Sequence, residues 1–331
     1  MASPAQERAR APVAHLAYTR HSWGRVLIAG SRKRSAEPMR RRLYTLDVFT
    51  NRPFAGNPLA VVADGDGIPA ERMQAIAREM NLAETVFVQR PTHNQALARL
   101  RIFTTERELP LAGHPVIGTW YLLALLGVVP RNDGLVNVIQ EVGAGLLPVA
   151  IEFDGGRPSR VTMEQKPARF FPARVPSKAL MAALGLRVSD LHSKLPVEYV
   201  STGIFNLMVP LKNRAALKRI RLDMHALANL IADRGTLAYC FALGRAGEAY
   251  ARGMVPWALY EDPATGSAGG SLGAYLVNHG KLEAGAKLDI HQGIEMGRPS
   301  ELHVTVERAG SKLVPRVSGT AVAVLEGHIE A

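Results

Sequence analysis

One stretch of this chain is present twice, and a chain that repeats a helix entrance has few architectures open to it. The second copy, Glu261-Asp-Pro-Ala-Thr-Gly-Ser-Ala-Gly-Gly270, crowds two carboxylates, two hydroxyls and a run of small residues in front of an apolar segment. Pro263 blocks an earlier helix start, and Thr265 or Ser267 can cap. Gly266, Ala268, Gly269 and Gly270 leave the first turn open enough for a ligand to touch backbone amides, an arrangement suited to an anion. The helix then runs through Leu272, Tyr275 and Leu276 and ends at His279-Gly280.

Sliding the sequence against itself by 153 positions pairs Ala98 with Ala251, Arg99 with Arg252, Glu108 with Glu261 and Pro110 with Pro263. It also pairs Gly113 with Gly266, Leu123 with Leu276 and Gly127 with Gly280, seven identities in the thirty columns 98–127. Ordinary composition predicts about two. The shared pattern, Glu-x-Pro-x-x-Gly followed by a helix closed with Gly, predicts two duplicated halves, each presenting a helix N-terminus. Asp262 falls opposite Leu109 and Ser267 opposite His114, so the two shells would form an asymmetric site where they face each other.

The rest of the chain is read around that pair. Strands are expected over 43–49, 59–62, 85–88, 97–103, 136–139, 146–153, 197–200, 205–209, 237–241 and 317–325. Pro69 opens a helix with Met73, Ile76, Ala77 and Met80 on one face and Asn81 as its stop. A short helix capped at Ser177 and another over 214–231 follow. Val116 to Val129 is a fourteen-residue apolar stretch between two prolines. It falls short of the ~20 residues that span a bilayer, so it is expected inside a domain, with Pro115 first in the helix and His114 at its cap. Asp154 to Ser159 reads as a linker, which puts the change of domain there. Strand-rich halves around one apolar helix each predict an α+β fold.

Residues 1–42 stand apart, carrying ten Lys or Arg against two Glu and so +8 of the net +11. The remaining body balances 30 basic against 27 acidic residues, so its charge does not call for nucleic acid. Met39 just precedes the first strand, and the expected reading is a start there with the upstream residues outside the fold. Asp64-Gly65-Asp66-Gly67 lacks the later ligand of a calcium loop and reads as a turn. The single cysteine, Cys240, lies in an apolar run, which excludes a disulfide framework and fits a reducing, cytoplasmic setting. There is no phosphate-binding or dinucleotide glycine loop and no nucleophile elbow, and no second His or Cys stands at a ligand-like spacing from His114, so no metal is expected there. A paired-thiol racemase would need a cysteine at each helix entrance, where this chain has Ala112 and Thr265. Glu84, at the start of a strand, reads either as a solvated strand-end carboxylate or as a group reaching a cleft.

Asp47-Val48-Phe49, Phe54-Ala-Gly-Asn-Pro-Leu-Ala-Val-Val62, Asn81-Leu-Ala-Glu-Thr85, Leu111-Ala-Gly-His-Pro115, Glu261-Asp-Pro-Ala-Thr-Gly-Ser-Ala268, Gln292-Gly293 and Gly297-Arg-Pro-Ser300 together closely resemble the PhzF-like family of phenazine biosynthesis. The resemblance covers 43–331. It implies the diaminopimelate epimerase-like fold: two pseudo-symmetric domains, 43–156 with 317–331 and 157–316, each a strand barrel around a central helix. It also implies a cofactor-independent isomerase acting on a small carboxylated substrate, as a homodimer and without membrane or nucleic-acid partners. By that resemblance Glu84 is the catalytic carboxylate, moving a proton on a cyclic dihydro-hydroxyanthranilate, and Gly113, His114, Asp262, Gly266 and Ser267 bind the substrate. A thiol-independent epimerase or lyase, or a non-catalytic small-molecule binder, would use the same fold. Met254 stands where relatives carry Phe, and Trp257-Ala-Leu-Tyr260 is one residue short and lacks a Gly, which implies a reshaped pocket wall.

Overall fold

The structure, a computed structural model, describes residues 39–130, 133–232 and 237–331. The basic extension up to residue 38 lies outside the described residues. The first half of the chain forms β1 (Arg40–Val48), β2 (Asn57–Val62), β3 (Thr85–Gln89), β4 (Ala98–Phe103), β5 (Glu108–Leu109), β6 (Gly134–Val142), β7 (Gly145–Asp154) and β8 (Arg157–Glu164). The second forms β9 (Arg169–Pro172), β10 (Glu198–Ser201), β11 (Phe205–Pro210), β12 (Leu237–Leu243), β13 (Glu248–Val255), β14 (Tyr260–Asp262), β15 (Lys287–Gln292), β16 (Ser300–Ala309), β17 (Lys312–Gly319) and β18 (Ala321–Glu330).

Pairing repeats between the halves. β1 lies antiparallel to β2, β2 parallel to β3, β3 antiparallel to β4, β4 parallel to β6, and β6, β7 and β8 form an antiparallel meander. From β10 to β17 the same series of hands recurs: β10–β11 antiparallel, β11–β12 parallel, β12–β13 antiparallel, β13–β15 parallel, then β15–β16–β17 antiparallel. The short β5 and β14 lie on β4 and β13 respectively. The halves join edge to edge where β8 pairs with its counterpart β17. Each series is closed by one more strand, β18 on β1 and β9 on β10. The duplication legible at an offset of 153 is therefore a duplication of topology.

Each curled sheet wraps one helix. Six α-helices are described, α1 (Ala70–Met80), α2 (Gly113–Leu125), α3 (Ser177–Ala183), α4 (Arg214–Lys218), α5 (Met224–Ile231) and α6 (Gly266–Asn278), and α2 and α6 are the wrapped pair. Neither has a polar face, because strands surround both: Val116, Ile117, Trp120, Leu122 and Leu123 are buried on α2, and Leu272, Tyr275, Leu276 and Val277 on α6. Each large apolar side chain so buried contributes about 1.5–3 kcal/mol. A smaller core under α3, α4 and α5 contains Cys240, whose thiol burial pushes up to about 12.

Several local expectations are corrected. α2 starts at Gly113 with Ala112 as cap, two residues before the expected Pro115, so His114 lies in the first turn. Thr265 caps α6 by position only, its hydroxyl being spent on Asp262. Pro176, not Ser177, precedes α3. The expected helix over 214–231 is two helices, because Asn213 and Asp223 each accept a first-turn amide and start a separate one. Gly155-Gly156 is the turn of the β7–β8 hairpin and not a linker. The closing strand over 317–325 is the end of β17 and the start of β18. Arg40, Arg41 and Arg42 pair with Glu330, Ile329 and His328 in the sheet, so the extension ends before them.

Candidate active site

The two central helices meet end to end. A Cβ built on Gly113 would stand 3.4 Å from the Gly266 Cα, and one on Gly266 would stand 3.5 Å from the Gly113 Cα. A methyl group at either position would just touch the other entrance, so the two helix starts are in backbone contact with no room for a larger side chain between them. First-turn N–H groups of a helix have no intrahelical acceptor, so both sets are directed at the same place.

Around this junction the chain delivers its titratable groups from separate elements. α1 stops at Asn81, in the left-handed conformation at φ 50°, and the chain turns to place Glu84 at the mouth of β3. Glu84 Oε2 lies 3.3 Å from His114 Nε2, close but without hydrogen-bond geometry, and neither buried atom has a hydrogen-bond partner in the protein. On its other side His114 Nδ1 faces Asn57 Nδ2 at 3.3 Å. The same Asn57 nitrogen donates to Asp262 Oδ1 at 2.8 Å and to the Ala264 carbonyl at 2.9 Å. An amide NH2 can only donate, so His114 Nδ1 is an acceptor and the ring proton sits on Nε2, towards Glu84. A line of contacts thus runs Glu84–His114–Asn57–Asp262, from the first half of the chain into the second.

Burial sets the protonation states. It lifts the Glu84 carboxyl to about 8, with the Asp262 charge adding to the rise. It lowers His114 to about 3, so the imidazole is neutral throughout the working range. Asp262 is raised by burial to about 6, held back by the hydroxyl of Thr265 and the amide of Asn57. Three groups with ordinary values of 4.5, 6.5 and 3.8 are thereby rearranged, so that the glutamic acid is the last to lose its proton.

Thr265 and Gln292 hold Asp262 in place. Thr265 Oγ1 donates to Asp262 Oδ2 at 2.5 Å, and Gln292 Nε2 donates to the Asp262 carbonyl at 2.7 Å. Gln292 Oε1 accepts from Tyr239 OH at 2.8 Å and from the Thr265 amide at 3.1 Å. Arg252 grips Glu261 with two bonds of 2.7 and 2.8 Å, which anchors β14.

Of the residues singled out from sequence, Glu84, His114, Asp262, Gly113 and Gly266 converge here. Ser267 is half-buried in the first turn of α6, where its carbonyl accepts from Thr202 at 3.4 Å. Asn57, Thr265, Tyr239 and Gln292 were not expected as site residues, although Asn57, Thr265 and Gln292 belong to the quoted motifs. Met254 is buried in the core under α3–α5, whereas Trp257, Leu259 and Tyr260 are partly exposed. Among the described residues, Asp289, Glu301 and His303 are close enough to hold a cation. They lie on β15 and β16, and Asp289 is on the opposite face of β15 from Gln292. His303 and Lys287 already pair with Asp289.

Two pseudo-symmetric strand barrels with a buried acid–base cluster between their helix ends define the diaminopimelate epimerase-like class. The chain is similar at that level to a probable proline racemase from Agrobacterium radiobacter, with a TM-score of 0.66 at 14% identity over 87% of this chain and 92% of the other. It is closer to a phenazine biosynthesis protein of the PhzF family from Bacillus anthracis, with a TM-score of 0.81 at 29% identity over 88% and 99% of the two chains. In sequence it is 38% identical to the trans-2,3-dihydro-3-hydroxyanthranilate isomerase of Pseudomonas aeruginosa over 87% of this chain and 98% of that one. The model of the phenazine biosynthesis-like protein family, PhzC-PhzF, matches residues 46–327. The chain belongs to this family and is an isomerase.

Proposed function

We propose that the cleft isomerises trans-2,3-dihydro-3-hydroxyanthranilate, or a close cyclic amino acid, by moving one proton between carbons with Glu84 as the carrier. The observation that carries this reading is the buried Glu84–His114 contact at 3.3 Å, with Glu84 raised to about 8. A carboxyl that titrates near the working pH can both give and take a proton. Neutral His114 keeps Nε2–H on the Glu84 side and orients the acid. The amides at Gly113, Gly266 and Ser267 would hold the substrate carboxylate at the joined helix ends, and Asp262 would take its amino or hydroxyl group. The proton removed from one ring carbon is returned to another, so no redox partner is needed.

The same reading has the enzyme working as a homodimer in the cytoplasm, in keeping with a free, buried Cys240. Among the described residues no helix is long and apolar enough to cross a membrane.

The test is proton NMR of the full chain with trans-2,3-dihydro-3-hydroxyanthranilate in deuterated water, beside Glu84→Gln. The wild type is expected to consume the ring-proton pattern and the variant to be slower by about 10²–10⁴-fold. Equal turnover by both proteins would remove Glu84 from the chemistry. An inert wild type would remove this substrate and send the cleft to other small carboxylates.

A further inference from the structure

Among the described residues, Asn57 alone offers a hydrogen bond to both His114 and Asp262, and its own placement is not secured by packing alone. The loop before it turns through two left-handed residues, Phe54 at φ 67° and Gly56 at φ 66°. Glycine takes this conformation freely, but for phenylalanine it is unfavourable. The Phe54 side chain is 75% exposed, so no apolar burial compensates for it. What holds the loop comes from the far end of the chain. Arg298 donates to the Ala55 carbonyl at 2.8 Å, to the Gly56 carbonyl at 2.8 Å and to Asp47 Oδ1 at 2.5 Å. Asp47 Oδ2 in turn accepts the Phe54 amide at 2.6 Å, and the Gly56 amide donates to the Pro299 carbonyl at 3.2 Å.

Arg298 is itself presented by a tight loop. Gly293 at φ 73° folds the chain back so that the Arg298 amide donates to its carbonyl at 3.0 Å. A Cβ on Gly293 would stand 2.3 Å from the Arg298 carbonyl oxygen and 2.7 Å from that of Pro263. This loop directly follows Gln292, which holds Asp262 from the other side.

We propose that Arg298 is a positioning residue for the isomerase: through Asp47 and the Ala55 and Gly56 carbonyls it sets where Asn57 stands between His114 and Asp262. Asn57 offers two protons to three acceptors. Its contact with His114 is the longest of the three, at 3.3 Å, and a small displacement of the loop breaks that one first. Without it nothing fixes the ring proton on Nε2, and the histidine no longer presents N–H to Glu84. The guanidinium is needed for its fork. A lysine could meet Asp47 but could not span both carbonyls.

The proposal deepens the isomerase reading, and its first readout needs no substrate. Nitrogen-15 NMR of the histidine rings, with the His114 signals identified by their loss in His114→Gln, reports the tautomer in the free protein. The wild type is expected to carry its proton on Nε2. Arg298→Lys and Arg298→Met are expected to show a mixture, as is Asn57→Ala. On a substrate the wild type turns over, Arg298→Met should lower kcat by about 10–100-fold with a smaller change in KM, since a displacement of about 1 Å can cost that much. Adding Arg298→Met to Asn57→Ala should cost little more than Asn57→Ala alone. A pure Nε2–H tautomer in Arg298→Lys, or losses in kcat that multiply in the double variant, would overturn the proposal and leave Arg298 as a tie between the halves. If Arg298→Met does not fold, the tautomer in Arg298→Lys decides. An inert wild type with a shifted tautomer in the variants would fault the substrate and not the positioning role.

Discussion

Gln140 and Gln292 occupy one position of the repeated half. Ala98 pairs with Gln140 across β4 and β6, and its repeat partner Ala251 pairs with Gln292 across β13 and β15. Both glutamines are fully buried. In the first half Gln140 serves the core, accepting from Trp120 Nε1 at 2.9 Å. In the second, the residue 153 positions after Trp120 is Gly273, where a Cβ would stand 2.6 Å from a Val304 methyl. With no indole to satisfy, Gln292 binds Tyr239, Thr265 and Asp262. One scaffold position is a core strut in one half and a brace of the site in the other. The lesson is that the halves share topology while the titratable groups of the candidate site are divided between them, Glu84 and His114 on one side and Asp262 on the other.

The largest effect expected from this division concerns stability and falls on Glu84. Its folded value of about 8 lies above the ordinary 4.5. Below pH 4.5 both folded and unfolded chains hold the proton, and the shift costs nothing. As pH rises from there to about 8 the unfolded chain ionises first, so stability falls by about 1.4 kcal/mol per unit across the window. Glutamine carries no such charge. Glu84→Gln should match the wild type near pH 4.5 and exceed it by about 4 kcal/mol near pH 8, seen as a widening gap in urea midpoints. Parallel stability curves would mean that Glu84 is not held protonated, and the sharpest contrast between the halves would disappear.

The glutamine pair gives a smaller and more direct test. Replacing Gln140 with Met strands the Trp120 N–H and should cost about 1–3 kcal/mol of stability, with kcat within about twofold of wild type. Gln292→Met strands the Tyr239 hydroxyl and the Asp262 carbonyl. It should cost a similar amount and in addition lower kcat about tenfold, by releasing Thr265 and Asp262. Thermal unfolding and steady-state kinetics on both variants separate the roles. Equal kinetic losses would show that the two positions are not specialised.

Much of this arrangement is legible in the residues. The repeat of Glu, Pro and Gly at one spacing announces two equivalent helix entrances, because each feature has a local cause: a proline that bars helix, a glycine where backbones touch. The quoted motifs carry the fold class and point to Glu84, His114 and Asp262. Asn57 and Gln292 are harder to read, because an amide at a strand end has the same local signature whether it braces a core or a site. Only the pairing of β2 against β1, and of β15 against β13, brings them to Asp262. Strand ends and caps fail for a related reason. The hydroxyl of Thr265 could have capped α6, and a carboxylate three residues earlier, invisible as a competitor in the sequence, takes it instead.

The smallest expected effect lies in β14, the strand that carries Asp262. Leu259, left-handed at φ 55°, turns the chain into β14. Tyr260 and Asp262 lie two residues apart on that strand and so share a face. Burial raises the Tyr260 phenol above its ordinary value, and the nearby Asp262 and Glu84 charges raise it further. The phenol therefore keeps its proton across the working range, and the role expected of it is to donate to a substrate and not to exchange a proton. Tyr260→Phe should leave kcat within about twofold and raise KM by a few fold, the scale of one lost hydrogen bond of about 1 kcal/mol. A loss confined to kcat would instead move Tyr260 into the proton-transfer chemistry, and the second half would then supply more than a binding wall.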